Sequence, residues 1–301
     1  GFYNTAIGQA ELLQRSVLTN EGKQLTGDSL FYDRNLSFGE AFYDVIFTDT
    51  VNKNMLTGNY CHYNELTKYA VATDSAVAVD YSQGDSSFLH GDTLQLFTFF
   101  LDTDSMYRET RAYHKVRFFR TDVQGVCDSL VFSTKDSCLT MYRDPILWNG
   151  NQQLLGEEVM VYMNDSTIDW AHIHNQTLSV EKLDSVNYNQ VTGKDMKAYF
   201  TNGEMHRVDV IGSVRVIYYP MEKDSTLMGM NVMEGGELNM YLENRKLTRG
   251  VMFPQPKGTF YPMDQLPPKQ MKLDNFAWFD YIRPLNKQDI FNWRAKSADQ
   301  V

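Results

Sequence analysis

The sequence predicts an all-β protein built from repeated antiparallel strands, and three observations carry that prediction. The stretch LTGDSLFYD, from Leu25 to Asp33, returns as LTGNYCHYN from Leu56 and again as LHGDTLQLF from Leu89. Apolar and polar residues alternate around these copies, which is typical of half-buried strands. Short polar pairs such as Asp74-Ser75 and Asp165-Ser166 separate the copies and favour tight turns. A unit that recurs in this way buries one face against its neighbours.

The repeated motif continues through most of the chain. The motif is an apolar residue, one further residue, a glycine and a polar residue, followed by alternating apolar residues, and it is clearest in the first three copies. Later copies are VCDSLVF, LLGEEVMVY, VTGKDMKAYF and LMGMNVM. The glycine positions are then Gly27, Gly58, Gly91, Cys127, Gly156, Gly193 and Gly229, at spacings of 29 to 37 residues, with a cysteine in the fourth copy. The 3.6-residue apolar spacing of a helical solenoid is absent.

A second motif fills the other half of each unit. AFYDVIF begins at Ala41 and AYHKVRF begins at Ala112, and both have alanine, three residues, valine, one residue and phenylalanine. The same spacing joins Val210, Val214 and Val216, and we align Tyr142, Ile146 and Trp148 with it as well. We therefore expect two strands in each unit.

We divide the chain at residue 253, with a β-repeat domain over 1–253 and a tail or cap over 254–301. Five of the eight prolines fall between Pro254 and Pro268, and proline cannot donate to a strand ladder. The segment from Asn286 has the composition of a short helix. Tyr3-Asn4 with Ala10 repeats the spacing of Tyr63-Asn64 with Ala70, so the chain begins within a repeat. We expect the native protein to continue upstream and a leader peptide to have been removed.

Composition excludes several classes of function. The net charge is −10 and the pI about 5.1, so the chain lacks the basic footprint of a nucleic-acid-binding protein. No P-loop, dinucleotide fingerprint, CxxC pair or Ser-His-Asp order occurs, and we expect neither an enzyme nor a cofactor. Three cysteines leave at least one thiol free, and a disulfide between Cys127 and Cys138 stays open.

The strand pattern resembles the OstA-like domain over roughly residues 20 to 253. The resemblance lies in the glycine-containing strand followed by the strand with the Ala-x-x-x-Val-x-Phe spacing. It implies an open antiparallel β-jellyroll with two facing sheets and a hydrophobic groove between them. It also implies a periplasmic protein of lipopolysaccharide transport that holds lipid A acyl chains in the groove. Its partners would be other OstA-like transport proteins, or a second copy, joined end to end by edge-strand pairing.

The groove residues are expected on the apolar side of the alternating strands, while Lys115 and Arg117 should face outward into solvent. The candidates are Leu30, Tyr32, Ala41, Tyr43, Val45, Phe47, Val116, Phe118, Ile146, Trp148, Val214 and Val216. The same residues would also suit a closed, dry core. A structural or adhesive β-repeat scaffold without a ligand is therefore the alternative.

Two polar features have simpler explanations than chemistry. Asp28, Asp92 and Asp128 recur at one position of the repeat, where turn formation explains them better than paired catalytic carboxylates. His172 and His174 point to the same face of a strand, as two ligands of a metal site would. No third ligand is evident from the sequence, so it predicts no metal site.

Overall fold

The computed structural model describes residues 1–20, 22–82, 84–164, 167–244 and 246–297. The fold is the predicted one, a repetitive antiparallel β-jellyroll, and more than half of the residues lie in strands. The predicted turn at Asp165-Ser166 lies outside the described residues. No helix in the described part of the chain is long and apolar enough to cross a membrane. The chain forms two compact units, residues 1–137 with 284–293 and residues 138–283 with 294–301.

Unit 1 contains eleven strands that follow one another as an antiparallel meander. They are β1 (Phe2–Asn4), β2 (Gln9–Asn20), β3 (Lys23–Asp33), β4 (Phe38–Asp49), β5 (Asn54–Asn64), β6 (Tyr69–Thr73), β7 (Val77–Asp80), β8 (Ser87–His90), β9 (Thr93–Phe99), β10 (Tyr107–Phe119) and β11 (Val123–Ser133). The short strands β6 and β7 both pair with β5, and β8 and β9 both pair with β10. Each short pair therefore occupies the place of one long strand.

Unit 2 continues the same pattern with ten strands. They are β12 (Cys138–Tyr142), β13 (Ile146–Asn149), β14 (Gln152–Leu155), β15 (Glu158–Asn164), β16 (Thr167–Lys182), β17 (Tyr188–Thr201), β18 (Glu204–Tyr218), β19 (Gly229–Glu243), β20 (Lys246–Phe253) and β21 (Lys257–Pro262). Strand β21 pairs with β19, so the paired sheet extends beyond the boundary predicted at residue 253.

The chain after β21 contains short 3-10 turns. These are Met263–Gln265, Pro268–Gln270, Asp280–Ile282 and Asp289–Phe291. The helix expected from Asn286 is therefore a single 3-10 turn of three residues. The rest of this segment lacks regular secondary structure in the described residues and lies against the strands.

The repeated glycine motif marks a corner at which each long strand bends. In β4, Tyr43 and Asp44 adopt left-handed φ angles of 57° and 46°, and the strand gains one residue relative to its neighbours. The facing strands β3 and β5 pass the corner at Gly27 and Gly58 instead. From β2 to β5, strands with a left-handed pair thus alternate with strands that carry the glycine, whereas β10 has Lys115 as its one left-handed residue and β11 has Cys127 at the glycine position.

Close packing explains the glycines at the corner. A Cβ atom on Gly156 would lie 2.5 Å from Ile173 Cγ2, and one on Gly193 would lie 2.6 Å from Val210 Cγ1. The residue after the glycine then donates its N–H across the corner. Glu157 N–H, for example, donates to His174 O over 3.0 Å. The backbone N–H group that follows the glycine is therefore hydrogen-bonded across the corner.

The recurring aspartates lie at this corner, each beside a cationic or imidazole side chain of the adjacent strand. Asp28 pairs with Arg15 at 3.2 Å, Asp92 with Lys115 at 3.7 Å and Asp128 with His114 at 3.1 Å. Exposed pairs of this kind contribute little to stability.

The corner also resets the alternation of side chains. Leu25 precedes the corner in β3 and Leu30 follows it, five residues later, yet both pack in one apolar cluster with Ala41 and Val45. Uninterrupted alternation would put residues at this odd spacing on opposite faces. The odd spacing between Leu25 and Leu30 is therefore a consequence of the bend in β3.

Two of the predicted motif alignments are corrected by the strand register. Gly229 lies at the start of β19 opposite Pro262, and Gly235 is the glycine that faces Val214 at the corner. In β12 and β13 the left-handed pair is Arg143 and Asp144, so the motif is shifted by one residue from the predicted alignment.

We predict that Gly193→Ala lowers the free energy of unfolding by about 1–3 kcal/mol, because the new methyl group overpacks the corner against Val210. Gly250→Ala is the matched control in the same unit, since its Cβ would have only Leu238 Cδ1 nearby, at 3.9 Å. We expect the control within about 0.5 kcal/mol of the parent by urea unfolding. Equal effects of the two substitutions would contradict the corner explanation.

Candidate functional site

An unbroken apolar ladder crosses eight strands of unit 1 on one side of the corner. Each member pairs directly with the next across the sheet: Leu12, Leu30, Ala41, Cys61, Ala72, Leu94, Ala112 and Leu130. No polar residue interrupts this ladder.

A second ladder runs on the other side of the same corner. Its members are Leu18, Leu25, Phe47, Leu56, Ala78, Leu89, Phe118 and Gly125. We call the surface formed by these two ladders the apolar trough of unit 1. The packing of Leu25 against Leu30 and Ala41 places the two ladders on the same, concave face.

The apolar trough is closed at the corner and opens away from it. Ala41 and Ala112 on the first ladder are 1% and 0% exposed. Tyr63, two residues further from the corner than Cys61, is 41% exposed, and Leu18 on the second ladder is 44% exposed. The trough therefore presents Tyr63 and Leu18 to solvent at its outer ends, which we call its mouth.

Unit 2 repeats the arrangement with bulkier side chains. Its first ladder consists of Met141, Val159, Ile173, Met196, Val210, Leu238 and Met252. Its second ladder consists of Leu147, Leu154, Ser179, Val191, Val216, Met233 and Gly258. Methionine adapts to irregular apolar neighbours, so this surface is well suited to contacts that vary in shape.

Nine of the twelve predicted groove residues lie on the concave faces of the two units. Leu30, Ala41, Val45, Val116, Val214 and Val216 are buried, and Tyr32, Phe47 and Phe118 are partly exposed. Tyr43 does not belong with them. It is 66% exposed, because it occupies the left-handed pair at the corner instead of continuing the strand.

Ile146 and Trp148 are also corrected, because they lie on the opposite face of their sheet. Trp148 Nε1–H donates to Gln153 Oε1 over 3.1 Å, and Gln153 Nε2–H donates to Ala277 O over 2.9 Å. The backbone N–H of Phe279 donates to the same amide oxygen over 2.7 Å. Leu147 is the residue that faces the concave side.

The C-terminal segment covers this convex face of unit 2. Gln190 donates to Met271 O and accepts from Leu273 N–H, both over 2.8 Å, and Asn275 donates to Thr192 Oγ1 over 2.8 Å. The buried side chains of Gln153 and Gln190 thus form hydrogen bonds with the backbone of the C-terminal segment. Sequence reasoning missed this role, because the contacts join residues more than 80 positions apart.

A second stretch of the C-terminal segment covers the convex face of unit 1. Ile290 packs against Val77 and Val79. Arg117 faces outward as predicted but is only 3% exposed, so the expectation of a solvated side chain is wrong. Its Nε–H donates to Ile290 O, and its guanidinium lies 5.5 Å from the ring centre of Trp293.

None of the three cysteines, all of which the structure describes, is in a disulfide, so Cys127 and Cys138 are not bonded to each other. Cys61 is a member of the first ladder in unit 1. Burial raises the pKa of the Cys61 thiol to about 12, which reflects the apolar surroundings of the trough.

Comparisons with known proteins show a likeness to solved structures. No protein-family model matches the chain, and no curated protein matches it. Among solved structures, the chain is similar to the crystal structure of LptH from Pseudomonas aeruginosa, described as the LptA-homologous periplasmic component of the lipopolysaccharide transport device. The identity is 15% and the TM-score 0.33, over 40% of this chain and 82% of that chain.

We predict that Gln153→Leu lowers the free energy of unfolding by at least about 2 kcal/mol, because it leaves the buried N–H groups of Trp148 and Phe279 and the carbonyl of Ala277 without this partner. Limited trypsin digestion should then cut faster after Lys272. Gln152→Leu, whose side chain points to the other face, is the control and should change neither measurement. Unchanged stability of the Gln153 variant would show that the segment is held by other contacts.

Proposed function

We propose that this protein binds the acyl chains of a lipopolysaccharide-type lipid in its apolar trough and acts as a periplasmic bridge or scaffold in lipid export. One observation carries the proposal. Two apolar ladders of eight residues each line a single concave face, and that face stays partly open at its mouth. A dry core of the same composition would be expected to close over these side chains.

The dimensions and energetics support an acyl ligand. Eight strands spaced about 4.8 Å apart give a ladder of about 34 Å. Burying one CH₂ group contributes about 0.8 kcal/mol, so a chain of twelve carbons gains at most about 8–10 kcal/mol. This free energy is spread over many weak contacts. A lipid held in this way can also leave, as a conduit requires.

Bridge formation would use the open edge of β2. Beyond Glu11, and within the described residues, β2 pairs only with β3. Leu13 and Val17 on this stretch are more than half exposed. Unpaired strand edges recruit further strands, so we infer edge-to-edge pairing with a related protein or with a second copy.

A structural scaffold without a ligand is the second candidate. It is favoured by the residues next to the corner, such as Ala112 and Val116, which are buried without any ligand. The two functions differ at the mouth of the trough. Binding of acyl chains requires apolar side chains there, and a scaffold without a ligand does not.

We predict that Phe47→Asp weakens binding of lipid A at least ten-fold, because it places an unpaired charge among the acyl chains. Ile46→Asp is the matched control. Ile46 is the preceding residue of β4, is 36% exposed and points to the convex face, so its variant should bind within about two-fold of the parent. Native mass spectrometry of the purified variants with added lipid A gives both affinities.

Circular dichroism must show that both variants keep their strands. Phe118→Ala provides a milder test in the same ladder, since it removes a ring without adding a charge. If folded Phe47→Asp and Phe118→Ala both bind lipid A as the parent does, the trough is not the ligand surface. The scaffold function would then be preferred.

A further inference from the structure

The strand register brings a third potential ligand to the histidine pair of β16. His172 and His174 lie on the convex face of β16, two residues apart, and Asp195 on β17 is directly opposite His174. The intervening Ile173 belongs to the first ladder of unit 2, points to its concave face and is fully buried. The His-His-Asp cluster is therefore on the opposite, convex face of unit 2.

The ligand atoms of the cluster are close enough to share one cation. One ring nitrogen each of His172 and His174 and one carboxylate oxygen of Asp195 all lie within 4.8 Å of one another. His172 Nε2 is 3.3 Å from Asp195 Oδ1, and His174 Nδ1 contacts the same oxygen. Two ligands bound at about 2.0 Å in a tetrahedron are about 3.3 Å apart, so the first distance already suits a zinc-like ion.

The two neighbouring strands place further charged side chains beside the cluster. Glu158 on β15 is directly opposite His174, on the same face, and adds a second carboxylate beside the cluster. Lys197 on β17 is directly opposite His172 and places a cationic side chain beside the cluster.

We propose that His172, His174 and Asp195 bind a divalent transition-metal cation of the Zn²⁺ type. Two imidazoles and one carboxylate are a common donor set for such ions, and a water molecule would take the fourth position. The cation would join β16 to β17 beside the corner formed by the left-handed pair Asn175 and Gln176. The site is independent of lipid binding, because it uses the convex face of the sheet.

The test uses the full chain, stripped with a chelator and titrated with Co²⁺ as a spectroscopic probe and with Zn²⁺ by calorimetry. We expect one Co²⁺ per chain, with the strong visible absorption of a four-coordinate site, and displacement of Co²⁺ by Zn²⁺. Asp195→Asn removes the shared carboxylate with little change in shape. It should weaken binding at least ten-fold, as should His172→Gln, and both variants should keep their circular dichroism.

His114→Gln is the matched control. His114 faces Asp128 at 3.1 Å in unit 1, which is a histidine–carboxylate pair without a second imidazole, and its variant should keep the parent affinity. The proposal is overturned if Asp195→Asn and His172→Gln bind Co²⁺ as tightly as the parent. It is also overturned if His114→Gln loses as much affinity as they do, or if the parent binds Zn²⁺ only in the millimolar range. The hydrogen-bonded cluster would then be structural only.

Discussion

Close packing at the corner is the constraint on which the rest of the structure depends. A left-handed pair in one strand meets a glycine in the next, and the glycine leaves room for a side chain such as Val210. Because every long strand bends at the corresponding position, the two halves of each strand turn their apolar residues toward one concave face. Without this bend, Leu25 and Leu30 would point to opposite sides of a flat sheet.

The C-terminal segment gives the convex face a different role. Trp148 in unit 2 and Arg117 in unit 1 are both buried by this segment, although both lie outside the trough. Their burial requires specific polar partners, such as the side chain of Gln153 and the carbonyl of Ile290. In unit 1, by contrast, no polar side chain lies on the two ladders of the concave face. This chemical difference between the two faces is the reason for assigning the lipid to the trough.

The sequence predicted the strands, the repeat and most of the concave residues, because alternation and glycine spacing are local properties. It placed Ile146 and Trp148 on the wrong face, since the aligned motif was one residue out of phase and only the strand register corrects that. It also missed that Arg117 is covered, because Ile290 follows it by 173 residues. The third ligand of the histidine cluster was missed for the same physical reason. Asp195 meets His174 through a strand pairing that no local pattern specifies.

Methyl NMR with a spin-labelled fatty acid can show whether an acyl chain binds to the open concave face of unit 1. Paramagnetic broadening reports which methyl groups approach the bound acyl chain. If the acyl chain lies on the concave face, we expect broadening for Leu56 and Leu89 on the second ladder and sharp signals for Ile46 and Ile290 on the convex face. Sharp signals from Leu56 and Leu89 at saturating fatty acid, or equal broadening on both faces, would contradict binding at the concave face.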